Sequence, residues 1–200
     1  MHPDPAFRWE DRAAMRAYVA EAGFGALFAA TPQGPHVAHV PALFVAEDRL
    51  GFHLARGNAL ARHLDGAETL FVVHGPDAYI SPDWYGLPDQ VPTWNYCAVE
   101  LQGRARRMDD GALVDLLDRL SAEHEARLAP KPGWMRGKMA PGLFDRMLAG
   151  IVGFTLDVAA WRGTRKLGQN KPAHARLAAA DALEAAGGRA VARLMREAAR

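Results

Sequence analysis

Cysteine is almost missing. Cys97 is the only one in 200 residues, so no disulfide can form within the chain and any fold must rest on its core. That usage fits a reducing compartment. A bulk charge is missing too: 24 Lys plus Arg stand against 23 Asp plus Glu, a formal net charge of +1 at pH 7. No general field therefore draws the protein to nucleic acid or an anionic membrane, and any polyanion contact must come from a local patch. No apolar run approaches the length of a bilayer span. The opening "MHPDPAFRWEDR" has no charged start, apolar middle and small-residue cleavage site of the secretory kind. Together these absences predict a soluble, cytoplasmic protein that does not enter a membrane.

Several chemistries are missing as well. There is no glycine-rich dinucleotide fingerprint and no P-loop, and the strands show no βαβ rhythm. His36, His39, His53 and His74 fall on or near strands. His36 and His39 have opposite parity and cannot share a face. "HEAR" at His124 lacks the second histidine of a zinc-protease motif. No metal site is expected. Cys97 sits mid-strand among apolar neighbours and reads as core, and no serine, histidine and acid arrangement suggests hydrolysis.

What remains is enough for a real core, with half the residues hydrophobic. A helix is predicted over roughly Asp11 to Ala22, ended by Gly23. "FGALFAA", "HVAHVPALFVA", "RLGFHLA" and "ETLFVVHG" follow as strands separated by turn signals, with a short helix through "NALARHL". A long strand runs from Thr93 to about Arg107. Asp109 or Asp110 can cap the next helix, whose Leu113, Leu116, Leu117 and Leu120 form an apolar face. "APKPGWMRGKMAPG" reads as an irregular connection and "IVGFTLDVAAW" as a last strand. The tail from Lys171 is helical, broken at Gly187-Gly188. Six or so strands with hairpin turns and helices between some of them predict an α+β protein. Its centre is a small antiparallel β-barrel with helical decoration. The domain division expected is 1–170 for the barrel and 171–200 for a C-terminal helical extension.

Four clusters carry possible chemistry. In "HLARGNAL" (53–60) a strand ends, Arg56 and Gly57 turn the chain, and Asn58 can cap the next helix. This is either a phosphate seat or simply a cap beside a solvated arginine. "GPDAYISPDWYG" (75–86) gathers Tyr79, Ser81, Trp84 and Tyr85 on a loop, and aromatic side chains there must cover something, the barrel mouth or a partner subunit. "VPTWNYCAVELQG" (91–103) puts Thr93, Trp94, Asn95 and Tyr96 at a strand entrance. "KLGQN" (166–170) supplies Lys166 and the amides of Gln169 and Asn170 at a strand-to-helix junction, although a turn accounts for Gly168 and Asn170 equally well. A single ligand that would use all four is FMN. Its ring wants flat apolar surface, its pyrimidine edge wants amides, and its phosphate wants cations and helix-end N–H groups.

In order along the chain, "HVAHVPALF", "GFHLARGNAL", "GPDAYISPDWY", "VPTWNYCAVELQG", "IVGFTLDV" and "KLGQN" resemble the PaiB-type family of FMN-binding negative transcriptional regulators. The pair "YISPDWY" and "VPTWNY" is the most specific part. The chain departs from that family at Gly168, where serine is usual, and at Ala59, where proline is common. The resemblance implies a flavin-binding split β-barrel like that of pyridoxamine-phosphate oxidases, a homodimer, and FMN held at the dimer interface. It implies that Arg56 and Asn58 face the phosphate, that Thr93, Trp94, Asn95 and His39 lie along the flavin, and that Lys166, Gln169 and Asn170 reach in from either subunit. His53 and Tyr96, from the same motifs, complete the cofactor-binding set. DNA or a DNA-binding partner would be the target of a regulator, and Arg189, Arg193, Arg196 and Arg200 line one helical face that could meet phosphates. The alternative is an FMN-dependent oxidoreductase, of the flavin reductase or pyridoxamine-phosphate oxidase kind, in which the cofactor carries the redox chemistry.

Overall fold

Strict alternation of apolar and polar side chains, interrupted by turn-forming residues, gives antiparallel strands with one buried face. The computed structural model describes residues 3–198. Its strands are β1 (Arg8–Trp9), β2 (Phe24–Thr31), β3 (Gly34–Ala46), β4 (Arg49–Ala55), β5 (Glu68–Ile80), β6 (Thr93–Arg107) and β7 (Ile151–Lys166). The helices are α1 (Arg12–Ala22), α2 (Asp110–Ala126), α3 (Leu143–Leu148), α4 (Ala173–Ala185) and α5 (Arg189–Glu197). The sheet order is β1-β7-β4-β3-β2-β5-β6, and β6 pairs back onto β7. Six strands thus close a ring, with β1 appended to β7, which is the α+β barrel the sequence predicts. No helix among the described residues is long and apolar enough to cross a membrane.

The chain forms two compact units. The first, Arg16–Val73 with Glu100–Trp161, has a core built from alternate residues. Leu27 and Ala29 of β2, Val40 and Ala42 of β3, Leu50, Phe52 and Leu54 of β4, and Phe154 and Leu156 of β7 are all buried. Phe52 and Phe154, directly paired in the β4–β7 register, stack with centroids 5.9 Å apart. β6 and β7 approach so closely that a Cβ on Gly103 would lie 1.9 Å from the Asp157 carbonyl oxygen. Helix α2 covers the outer side of β4 and β7, and Gly51 and Gly153 leave room for Leu116 and Leu113. As expected, Asp109 caps that helix, its carboxylate accepting from the Ala112 N–H at 2.8 Å.

The second unit comprises the N-terminal residues through Met15, His74–Val99, and the chain from Arg162 onward. It holds β1, the second half of β5, the first half of β6, the last residues of β7, and the α4–α5 pair. Ala179, Leu183, Val191 and Met195 pack the two helices together.

Four local readings change. "GPDAYI" is strand, not loop. β5 continues through Gly75 and Pro76 to Ile80 before a 3-10 turn at Pro82–Tyr85. The β2–β5 ladder ends at Val72, so Pro76 lies past it, where a missing N–H costs no ladder bond on that side. "NALARHL" makes only a single 3-10 turn, Ala59–Arg62. The connection before β7 contains α3 and a 3-10 turn at Arg136–Lys138. β7 runs past Trp161 and takes in Lys166.

Candidate functional site

In the barrel unit, strand parity decides what the end of β4 presents. Phe52 and Leu54 point into the core, so His53 points outward. It is half-buried, its Nδ1 has no hydrogen-bond partner, and burial holds its pKa below the ordinary imidazole value. Arg56 follows, and its guanidinium is largely committed. Nε donates to the Ala149 carbonyl at 2.9 Å and Nη2 to the Ile151 carbonyl at 3.0 Å. The backbone N–H of Arg56 meets the Gly150 carbonyl at 2.8 Å, so this arginine clamps the turn into β7. Asn58 caps, its Oδ1 accepting from the Leu60 N–H at 2.9 Å. The cap accounts for the Asn58 side-chain oxygen. His39 lies apart from these residues, exposed on β3, its ring stacked on Phe24 with centroids 6.5 Å apart.

In the second unit, alternation along the start of β6 divides "TWNY" into two pairs. Asn95 shares the buried parity of Cys97 and Val99, is 1 % exposed, and its Nδ2 donor has no partner. Thr93, on the same parity, accepts a hydrogen bond from Lys166 Nζ. Trp94 and Tyr96 point the other way. Trp94 is 55 % exposed and Tyr79 46 %, and the two rings meet edge to face with centroids 6.2 Å apart. Tyr96 stacks on His74 at 6.4 Å. The structure therefore joins Thr93 to Lys166, and gives Trp94 a partner, Tyr79, from β5.

The "KLGQN" segment behaves mostly as a turn. Gln169 Oε1 accepts from the Leu167 N–H at 2.8 Å, and its Nε2 donates to the Arg165 carbonyl at 2.5 Å, so both ends of this amide are used locally. Gly168 adopts φ +82°, a conformation that glycine takes freely and a residue with a side chain takes only with strain. Asn170 is exposed. Lys166 has its pKa lowered, by burial first and by the nearby charge of Lys171 second. Lys171 donates to Gln90 Oε1 and lies 5.4 Å over the ring of Tyr85. Burial pushes the Cys97 thiol up, partly offset by Arg165, which agrees with a core residue and not a nucleophile.

Sequence reasoning missed Lys171, read only as the start of a helical tail. It also missed Trp134, placed in an irregular connection. An indole within a Pro/Gly-rich segment was the available signal, because such a side chain is costly to leave in water.

A family described as "Putative FMN-binding domain" matches residues 1–160 of the chain; Lys166 to Asn170 lie beyond that range. The chain is 33 % identical over 158 residues to "Protease synthase and sporulation protein PAI 2" of Bacillus subtilis, covering 77 % of this chain and 75 % of that protein. Among solved structures it is similar to the conserved hypothetical protein Rv2991 from Mycobacterium tuberculosis. That match has a TM-score of 0.60 and 15 % identity, over 86 % of this chain and 94 % of the other. It is also similar to the FAD and heme binding protein from Mycobacterium smegmatis, with a TM-score of 0.56 and 17 % identity over 80 % and 73 % of the two chains. At such identities the two structures speak to the fold alone.

Proposed function

The chain belongs to the FMN-binding domain family, and from that membership we propose that it binds FMN and acts as a homodimeric negative regulator of the PaiB type. The observation that carries the flavin reading is Asn95. A buried amide donor without a partner costs roughly 1–3 kcal/mol, and the pyrimidine edge of a flavin offers the carbonyl acceptors that would satisfy it. On the same face of that strand end stands Thr93 with Lys166, a cation suited to an electron-rich or anionic group. These residues fit the cofactor. Asn95 and Lys166 would bind its polar edge. Bound FMN supplies electron transfer in steps of one or two.

The flavin reading is tested by titrating FMN fluorescence with the wild-type protein and with Asn95→Leu. Wild type should quench the flavin at one equivalent per chain. The leucine removes an orphaned donor of similar size, so it should hold or raise the stability of the flavin-free protein while weakening FMN by about tenfold. Unchanged affinity would remove Asn95 from the site.

The regulator reading draws on the relation to PAI 2. It draws less on the arginine face. Arg196 bonds Asp181 at 2.8 Å and Glu184 at 2.6 Å, and Arg193 lies 3.9 Å from Glu197; Arg200 falls outside the described residues. With Arg193 and Arg196, two of the stripe's three described arginines, beside acidic side chains, the face favours action through a DNA-binding partner over direct contact. A gel-shift series should accordingly show no retention of duplex DNA by the protein alone at physiological salt. Tight retention that weakens steeply with salt would reinstate direct binding.

A further inference from the structure

Two adjoining cavities of the barrel unit take no part in the flavin argument. The smaller measures about 320 Å³ and lies between α2 and residues 134–151. The wider measures about 650 Å³, and the two share Asp118, Ser121, Trp134 and Arg136. Leu117, Phe144, Met147, Leu148 and Ile151 line the smaller one alone. An apolar chamber therefore meets a polar junction. Asp118 and Ser121, three positions apart on α2, lie on one helical face. Arg136 comes from the other wall. Its Nη2 lies 3.1 Å from Asp118 Oδ2, and its guanidinium carbon lies 5.1 Å over the Phe144 ring. A separate tie holds that wall to α2: Glu125 Oε2 accepts the Trp134 N–H at 2.8 Å and a hydrogen bond from Lys131.

The junction carries one positive and one negative group, and both can be reached: the Arg136 and Asp118 side chains are 44 % and 43 % exposed. An ion pair so exposed contributes little to stability and opens at low cost. A ligand of a single charge is drawn by one partner and repelled by the other. A zwitterion matches both, and turns one ion pair into two charge-assisted contacts. The guanidinium fork has five N–H donors, more than one carboxylate uses. In an α-amino acid the ammonium, the carboxylate and the side chain all leave one carbon. Its head can therefore sit at the junction while an apolar side chain enters the chamber. A volume of this order is at the lower end of ligand pockets, roughly 300–1,000 Å³, and Trp134, Phe144 and Met147 favour a flat ring. We propose that these cavities form a binding site for a free aromatic α-amino acid, with its carboxylate on Arg136, its ammonium on Asp118 and its ring against Phe144 and Met147. The proposal does not rest on the flavin reading. His53, one of the expected cofactor residues, also lines the smaller cavity, so FMN enters the test as a competitor.

The test titrates L-phenylalanine calorimetrically into the full-length chain, with and without FMN. Three relatives each lack one part: 3-phenylpropanoate the ammonium, phenethylamine the carboxylate, and glycine the ring. L-Phenylalanine should bind at one per chain, about tenfold tighter than each of them, with the same affinity whether or not FMN is present. Asp118→Asn should weaken L-phenylalanine by about tenfold and strengthen 3-phenylpropanoate, because the opposing carboxylate has gone. Arg136→Gln should weaken L-phenylalanine likewise and strengthen phenethylamine. A merely loosened wall would not give that crossover, and the wild-type ranking stands even if a variant folds poorly. Absence of saturable L-phenylalanine binding overturns the proposal, as does binding no tighter than that of its fragments. An equal loss of every probe in both variants would make the ion pair a structural tie, and would also overturn it. Competition by FMN would assign the cavity to the flavin, with the same consequence. Failure to take up FMN with L-phenylalanine binding intact would count only against the flavin reading.

Discussion

Asp157 shows how much one residue's surroundings, and not its type, decide its behaviour. Its carboxylate accepts from Arg49 Nε at 2.6 Å and from Arg106 Nε at 3.0 Å. The Arg49 bond is the main reason its pKa lies below the usual carboxylate value, against an opposing desolvation. A folded pKa below the unfolded one means that the unfolded chain binds the proton more readily. The pair therefore stabilises the fold above the unfolded value of about 4, and that contribution is lost as the pH falls through the folded pKa. The side chain is a third exposed, so the gain is small, at most about 1 kcal/mol. Urea unfolding at pH 7 should find Asp157→Asn less stable by that order, with the gap to wild type closing below pH 4. A gap that persists in acid would assign the loss to something other than the charge. Asn95 belongs at this scale as well. Its strand parity was readable from the alternation of "YCAVELQG", but the missing partner on its amide was not, because a lone side chain says nothing of what faces it.

Among the elements, β6 and β7 are set by a glycine. Gly103 is buried against the Asp157 backbone with no room for a methyl group, and backbone cannot yield as a flexible side chain can. Gly103→Ala should force the two strands apart and cost about 3 kcal/mol in a denaturant titration; a loss below half that would mean the strands can separate cheaply. The bounds of β4 and the length of β6 agree with the pattern of their sequences, since alternation is a local signal that tertiary packing reinforces. β5 was shortened in the sequence reading because Gly75-Pro76 is a turn signal in most settings. Only its place beyond the β2 ladder makes the proline harmless. The break at Gly187-Gly188 was legible, since Gly187 takes φ +97°. The burial of Arg176 against the Met195 carbonyl, with one nitrogen left unpartnered, was not.

For the whole molecule, the proposed homodimer requires a sheet face that a second copy can cover. On the outward side of the β2–β3–β5 ladder, Phe28 stands between Val37 and Leu70 in register; Phe28 is 39 % exposed, Val37 46 %, and Phe24 nearby 54 %. Aromatic side chains clustered on an exposed sheet face favour burial by a partner. This supports the proposed homodimer. Phe28→Glu should shift the protein to monomer in sedimentation velocity while leaving the monomer folded by circular dichroism; an unchanged dimer would move the interface elsewhere.

The sequence by itself determined the closed antiparallel barrel, the family, the capping of α2 and the core role of Cys97. Each depends on periodicity, on neighbours within a few positions, or on motifs read in order. The tertiary structure decided that Arg56 clamps a carbonyl turn, that Gln169 spends its amide closing its own loop, and that Trp94 meets Tyr79 while Asn95 faces the other way with its amide donor unpartnered. Those outcomes turn on which groups from distant parts of the chain arrive within hydrogen-bonding distance, and a linear pattern of residues does not hold that information.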